Sequence, residues 1–511
     1  MTIANRMPQF PEPYWRDISL PIYRKLIEDQ TVDVTIVGGG ITGITSAYLL
    51  AKEGLKVAII EAGRILNGTT GHTTAKITAQ HGLIYDELLQ HFGKEKAKHY
   101  YQANSEALQF IRKTIEDSGI ACDFSTEDAF LYSTSDENAK KIEKEYEAYQ
   151  KLGIPGDLHK IIPISIEIKN ALSMKEQAQF HPLKYLAHLV KCFTDMGGLI
   201  YEDTTAVDIE EGKYPTVVMR NGKKVHSKQV IIASHFPFYD GMGLYYTRMH
   251  AERSYVVAVK TKTEYPGGMY VSVDQPTRSL RYTPYNGEKL ILISGDGHKT
   301  GQGVDTIKHY EALEAFGEEV FGIQEYPYRW SAQDLFTLDK IPYIGPIKKD
   351  KENILIATGY HKWGMTNGTA ASLLMKDYIL GKDNPYSSLF SPSREIKADP
   401  SVKEFIKQNV DVAGELLKGK FELVPKDPGD LETDEGAAVM INGKRAGAYK
   451  DQDNTLHIVD TTCTHLGCEV EWNHGDRTWD CPCHGSRFSY DGKVIEGPAT
   501  KALNRVLWNE E

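Results

Sequence analysis

Two short runs near the C-terminal end hold the densest chemistry of this 511-residue sequence: Cys463-Thr-His465-Leu-Gly-Cys468 and, about a dozen residues on, Cys481-Pro-Cys483-His484-Gly-Ser486. In spacing they are C-x-H-x2-C and C-x-C-H. Each offers one thiolate and one imidazole, with a cysteine to spare. A set of two thiolates and two imidazoles suits a [2Fe-2S] cluster in which one iron takes the sulfurs and the other the nitrogens. On that assignment Cys463 and Cys481 hold the first iron, and His465 and His484 the second. The charge count favours it. Two ferric ions, two sulfides and two thiolates sum to zero, so an added electron makes an anion rather than a dianion, which raises the potential above that of all-cysteine clusters. Two readings compete: structural zinc, although zinc sites favour C-x2-C pairs, and a bare disulfide with incidental histidines.

A second constellation lies near the other end. Val32-Asp-Val-Thr-Ile-Val37 is a short apolar strand, Gly38-Gly39-Gly40-Ile-Thr-Gly43 follows, a helix runs to about Glu53, and Lys56 to Ile60 makes a second strand closing on Glu61. This is a βαβ unit with G-x-G-x-x-G at its first turn and an acid at about the expected distance. Gly38 permits the tight turn, Gly40 lets a pyrophosphate approach the backbone, and Gly43 lets helix pack on strand. The helix N-terminus offers N–H groups and the positive end of a dipole to phosphates, and Glu61 can accept ribose hydroxyls. Gly39 and Ala62 complete the set of cofactor-binding positions. A tight turn alone is the competing reading, and the motif itself does not separate FAD from NAD.

The chain that must position these groups is long enough for more than one domain, and its 41% hydrophobic content is ordinary for globular proteins. A net charge of -11 argues against nucleic acid and anionic membrane surfaces as partners. From Phe421 to Glu511 there are 9 Lys+Arg against 17 Asp+Glu, a balance of -8. Those acids either solvate the surface or steer a basic electron-transfer partner. No run approaches the ~20 apolar residues of a membrane span, and Met1 to Trp15 has no signal-like core; a cytoplasmic location is expected. Cys122 and Cys192 are left unpaired, Cys192 as a core residue of the amphipathic stretch from Pro182 to Met196.

The C-terminal run resembles the Rieske proteins of the respiratory type. The resemblance implies a disulfide between Cys468 and Cys483, clamping the loops over the cluster, and a third, proline-containing loop at Gly497-Pro498-Ala499. Cytosolic disulfides are rare; one buried over a cluster could escape the thiol pool. In the family a serine, here Ser486, hydrogen-bonds a cluster sulfur, and a tyrosine two positions later adds a second bond. This chain has Phe488 there. One missing bond of about 1 kcal/mol amounts to some tens of millivolts, since a tenfold in a one-electron couple is ~59 mV. A centre of lower potential than the respiratory ones is expected.

From the βαβ unit to roughly Pro385 the sequence resembles the D-amino-acid-oxidase-like FAD oxidoreductases, which include amine and amino-acid oxidases. The resemblance is carried by Ala62-Gly63-Arg64, His181-Pro182-Leu, Val230 to His235, Trp330-Ser-Ala-Gln-Asp, Thr337 to Pro346 and Ile354 to Gly368. It implies FAD, with the backbone at Val207 holding the adenine and that of Gly364, Met365 and Thr366 facing the flavin N1/O2 edge. It also places the loop Asn67 to Lys76 against the pyrophosphate and isoalloxazine. Thr69, Thr70 and His72 depart from the family's pattern there, and His72 reads as a polar wall, an anion-stabilising donor or a covalent attachment point. Residues 248 to 300 alternate as a half-exposed antiparallel sheet, whose flavin-facing side is the family's substrate wall. Arg253, Arg281, Tyr282 and His298 are its polar candidates, an arginine there either forking onto a substrate carboxylate or pairing with a neighbouring acid. His72, Arg281 and Tyr282 are the catalytic candidates.

The expected architecture is an α/β FAD-binding Rossmann-like domain with an antiparallel-sheet substrate domain, followed by a small all-β Rieske domain. An arm covers 1–30 and the flavoprotein 31–390, with dinucleotide-binding parts at about 31–110, 180–245 and 330–390 and substrate or cap parts at 111–179 and 246–329. A linker helix spans 391–420 and the cluster domain 421–511. The D-x2-H-x4-H segment of Rieske oxygenases is absent from the sequence. The expected activity is oxidation of a small amine or amino-acid-like substrate at FAD, with electrons passed singly to the chain's own [2Fe-2S] cluster. An external one-electron donor or acceptor protein is compatible with that. The alternatives are an oxygen-using amine oxidase with a structural or sensing cluster, and an electron-transfer protein with no metabolite substrate.

Overall fold

The computed structural model describes residues 7–394 and 426–508, apart from 242 and 304. The linker helix expected over 391–420, read from Pro400 to Lys418, lies outside these residues from 395 onward.

The β-branched run Val34–Val37 (β1) is buried throughout, as a central parallel strand must be. It leads into Ile41–Lys52 (α1) and then Val57–Ile60 (β2). A two-residue strand follows at Lys76–Ile77 (β3), with the helices Tyr85–Ser118 (α2) and Asp136–Leu152 (α3) on either side of Ser125–Ser133 (β4). These helices contain the stretches Lys94–Ile111 and Asn138–Leu152 that periodicity marks as helical. Asn170–Gln179 (β5), Pro182–Asp195 (α4), Leu199–Tyr201 (β6) and a three-stranded meander (β7 Ala206–Glu210, β8 Thr216–Met219, β9 Lys224–His226) lead to Gln229–Ile232 (β10). The antiparallel part is Met249–Thr261 (β11), Met269–Ser272 (β12), Arg278–Tyr285 (β13) and Glu288–Lys299 (β14); Ile307–Phe321 (α5) and Ile323–Thr337 (β15) follow. Tyr343–Pro346 (β16), Ile354–Thr358 (β17) and Gly364–Ile379 (α6) close the first body.

Two sheets matter for function. The dinucleotide sheet runs β16-β17-β10-β1-β2-β6, parallel except at β16. The large sheet runs β15-β11-β14-β13-β12-β4-β5-β3. Its first two strands pair antiparallel with Val256 opposite Trp330 and Arg253 opposite Gln333. Side chains alternate in a strand, so this pair has two different faces. Val256, Ala258 and Trp330 join the core that contains Ile36 and Ile44 of the dinucleotide domain. Arg253, Ser331 and Gln333 point the other way, toward the C-terminal module.

That module is two small antiparallel sheets: Gly436–Ile441, Lys444–Lys450 and Leu456–Val459 (β18–β20), then Glu471–Asn473, Thr478–Asp480, Arg487–Ser489 and Val494–Glu496 (β21–β24). Cys463, Cys468, Cys481, Cys483, Trp479 and Phe488 share its core. The N-terminal arm packs on the body through Trp15, fully buried, whose Nε1 donates to the Thr73 carbonyl at 2.7 Å. Among the described residues no helix is long and apolar enough to cross a membrane.

Candidate functional site

The two cysteine–histidine runs form facing loops. Cys463 N–H donates to Cys468 O at 2.7 Å and Gly467 N–H to Cys463 O at 3.0 Å; in the second loop Cys481 N–H donates to Ser486 O at 2.8 Å and Gly485 N–H to Cys481 O at 3.0 Å. Cys468 and Cys483 are joined in a disulfide, while Cys463 and Cys481 are free and buried. The sulfurs of Cys468, Cys481 and Cys483 lie within 4.8 Å of one another, but the disulfide removes two of them as ligands. The remaining thiols converge: a hydrogen bond with Cys481 is the main reason the Cys463 thiol falls below its ordinary value. The rings of His465 and His484 stand 5.0 Å apart and perpendicular. Both Nδ1 atoms are buried without a partner, a costly state for a polar nitrogen unless something binds it. Two convergent thiols and two orphaned imidazole nitrogens fit an iron pair. The Ser486 hydroxyl, 2.9 Å from the Ala499 N–H, lies beside Cys463.

The histidine end of this module faces the first body. His465 meets Phe236 edge-on at 6.3 Å and His484 meets Tyr246 at 5.9 Å. Gly485, at φ +79°, lies so close that a Cβ there would come 2.5 Å from Ala251 Cβ and 2.7 Å from Gln333 Oε1. Around this contact runs a buried charge network. Arg253 of β11 donates to Glu496 at 2.6 Å and to Ser331 Oγ at 2.8 Å, and lies 3.7 Å from Asp480. Asp476 accepts from Tyr310 at 2.7 Å and from Ser331 and Arg487. Arg329 donates to Gly475 O at 2.6 Å, and Thr306 donates to Asn473 Oδ1 at 2.7 Å. Burial alone would push the Asp476 carboxyl up, but Arg487 and Arg253 hold it well below the usual carboxylate range. Three of the module's seventeen acids are therefore engaged in this network, Asp476 and Asp480 buried and Glu496 partly so, and their basic partners include Arg253 of the first body.

At the dinucleotide end, a Cβ on Gly43 would fall 1.9 Å from Gly38 O and one on Gly38 2.4 Å from Ala233 O, so the turn is packed to the backbone as a pyrophosphate cradle requires. Glu61 accepts from Gly39 N–H and Gly63 N–H, each at 2.8 Å, and each oxygen keeps a further lone pair for a ribose hydroxyl. Burial raises its carboxyl, with Glu202 adding to the rise. Thr70 Oγ1 accepts from Ile41 N–H at 3.0 Å in the first turn of α1. Val207 lies three residues past Thr204, whose N–H donates to Glu61 O at 2.9 Å. Gly364, Met365 and Thr366 open α6, and the Thr366 hydroxyl donates to Thr78 O at 3.0 Å. Sequence reasoning passed over His81, which bonds Thr78 O at 2.7 Å, stacks on Trp363 at 4.9 Å and is held neutral by burial, its pKa pushed down to about 3.

The catalytic candidates are engaged by the chain itself. Arg281 donates to the carbonyls of Ala75 at 2.8 Å, Thr74 at 2.9 Å and Phe180 at 3.3 Å. The Tyr282 hydroxyl donates to Glu127 at 2.7 Å. His72 Nδ1 donates to Gly68 O at 2.9 Å, while its own carbonyl accepts from Trp330 Nε1 at 2.8 Å. His298 bonds Tyr255 at 3.0 Å and stacks on His309. Arg253 belongs to the interface. The interface residues Asp476, Asp480, Glu496 and Arg487 gave no signal of this contact in the sequence, where the module's acids read either as solvating its surface or as steering a basic partner.

Residues 33–378 match the family model described as FAD dependent oxidoreductase, and residues 423–506 match the Rieske [2Fe-2S] domain. The chain is thus a flavoprotein oxidoreductase joined to a Rieske module, with FAD and one [2Fe-2S] cluster as its cofactors. It belongs to the FAD dependent oxidoreductase family. YhfW of Bacillus subtilis, described as a Rieske 2Fe-2S iron-sulfur protein, is 53% identical over 497 residues, 97% of each chain. The gamma-glutamylputrescine oxidoreductase of Escherichia coli is 24% identical over 70% of this chain and 85% of its own. Among solved structures, glycine oxidase from Geobacillus kaustophilus superposes with a TM-score of 0.61 over 72% of this chain and 100% of that one at 19% identity, a likeness of fold.

Proposed function

We propose that this protein is a dehydrogenase that oxidises a small amine or amino-acid-like substrate and hands the electrons singly to a cluster held by Cys463, Cys481, His465 and His484. FAD supplies a two-electron acceptor for a C–H bond beside nitrogen, and the cluster a one-electron acceptor. The observation that carries the reading is the position of Gln333. Its carbonyl accepts from Thr69 of the candidate flavin loop at 3.3 Å, while its side chain lies against Gly485, next to His484. A second bridge supports it: Ala233 abuts Gly38, and Phe236, three residues on, meets His465. One strand pair thus stands between the two loops, a layer on the order of 10 Å thick. The residues of the chain do the positioning. The Arg253–Glu496 pair and the bonds of Tyr310 and Ser331 to Asp476 hold the module in place, and Phe236, Tyr246 and Ala251 keep water from the histidine end.

The relationship to amine- and amino-acid-named proteins supports the substrate class. Anaerobic mixing of the oxidised holoprotein with a panel of amines and amino acids tests it. The expected result is bleaching of the flavin spectrum together with the paramagnetic resonance signal of a reduced Rieske cluster. Bleaching with a silent cluster, and peroxide stoichiometric with substrate once oxygen is admitted, would refute the relay.

A further inference from the structure

Lys76 is buried, 9% exposed, on β3. Its Nζ bonds the Ser279 hydroxyl of β13 at 2.5 Å, and no described carboxylate pairs with it. Lysines are almost never buried unpaired, so its environment needs a reason. Six residues before it, Thr70 bonds the first turn of α1; two residues after it, Thr78 bonds the first turn of α6. Lys76 therefore lies on the inner side of the large sheet, on a strand that packs against α6 and follows the loop whose Thr70 reaches α1. Ser279, Arg281 and Thr283 share that face by alternation. The charged group facing Lys76 is Arg281, with Tyr265, Tyr282, Glu127 and Asp123 behind it; β5 presents Gln179 opposite it. Burial, and then the Arg281 guanidinium, push the Lys76 ammonium down to about 7. Lys76 can then rest as a neutral amine with a free lone pair, one N–H still donated to Ser279.

We propose that Lys76 is the proton acceptor for the substrate's ammonium group, a catalytic residue of the flavin site. The assignment rests on the amine reading above. The step moves one proton and no electrons: an N–H bond of the substrate ammonium breaks, an Nζ–H bond forms, and the substrate becomes the neutral amine whose C–H bond can be oxidised. General bases of this kind contribute on the order of 10²–10⁴-fold when their pKa lies near the working pH.

Two measurements on the holoprotein test this separately. Lysine labelled with 13C at Cε gives a resonance for each lysine, and Lys76→Arg identifies the one that belongs to Lys76. That resonance is expected to titrate near 7, well apart from ordinary lysines at about 10.4; titration with the rest would overturn the assignment. In the second, anaerobic flavin bleaching by the amine panel is followed against pH. Lys76→Arg, which keeps charge and length, and Lys76→Met are expected to retain FAD, to bleach at least ~100-fold more slowly and to lose the wild-type limb near 7. Bleaching at the wild-type rate in both variants would overturn the role of Lys76 and leave the amine reading standing. Failure of every amine to bleach the wild type would overturn both.

Discussion

The two faces of the large sheet follow opposite rules. On the outer face the buried charges are matched: Arg253, Arg487, Asp476, Asp480 and Glu496 form one paired set. On the inner face polar groups are buried without such matching. Lys76 has a hydroxyl for its partner, and Ser254 Oγ and Thr283 Oγ1 have none. Paired charge holds two bodies in one arrangement, because a charge left alone there is expensive, even though the single atoms Arg253 Nε and Gln333 Nε2 lack a hydrogen-bond partner. Incomplete pairing leaves groups able to bind or to exchange protons. The outer face therefore docks, and the inner face carries the groups proposed to react.

The largest expected effect breaks the first rule. Arg253→Met leaves Glu496 and Asp480 short of a partner and should cost about 3–5 kcal/mol. It should appear as an earlier unfolding transition of the C-terminal module, read by the fluorescence of Trp472 and Trp479. Lys76→Met removes a buried amine that has no counter-ion and should not lower stability at neutral pH. Equal losses from the two variants would erase the distinction between the faces. Next in size is Cys468→Ser. Opening a link that closes a separation of 15 residues should cost about 3 kcal/mol by loop entropy, seen as faster loss of cluster absorbance on heating.

The faces should also respond oppositely to pH. The Asp476 carboxyl is held below its ordinary value, so the stability it contributes is present above about pH 4 and is lost as pH falls through that range. Lys76 is pushed down to about 7. Between there and about 10.4 the unfolded chain binds more protons than the folded one, so stability rises with pH. Denaturation midpoints should show both slopes, and Lys76→Met should flatten the alkaline one. The smallest effect concerns the cluster itself. Phe488, fully buried in the module core, has no hydroxyl to offer; Phe488→Tyr should raise the midpoint potential by some tens of millivolts, from about 1 kcal/mol. A wild-type midpoint already at the upper end of the Rieske range would contradict that reasoning.

How much of this was legible in the sequence differs between the two halves. The cysteine–histidine loops and the βαβ unit were readable because their chemistry is local: ligand spacing, a glycine turn and an acid about twenty residues on are all set within one segment. The alternation of β11 also showed that Arg253 sits on a sheet face. It could not show which face, nor that its partner lies at Glu496, 243 positions away. Arg281 was read as a possible carboxylate fork, yet it braces the carbonyls of Thr74, Ala75 and Phe180, and a backbone partner of that kind leaves no mark in residue types. Lys76 passed as one polar residue of a loop, since burial without a counter-ion is a property of three packed elements and not of a motif.

The account turns on electron exchange across one strand pair inside a fixed body. Flash photoreduction of the flavin in the anaerobic holoprotein, with the cluster followed by absorbance and paramagnetic resonance, tests this without any substrate. Cluster reduction should follow flavin reduction with a first-order rate that does not change on tenfold dilution, and Arg253→Met should slow it. A rate that falls in proportion to protein concentration would mean that the electrons travel between molecules, and the relay drawn here would be wrong.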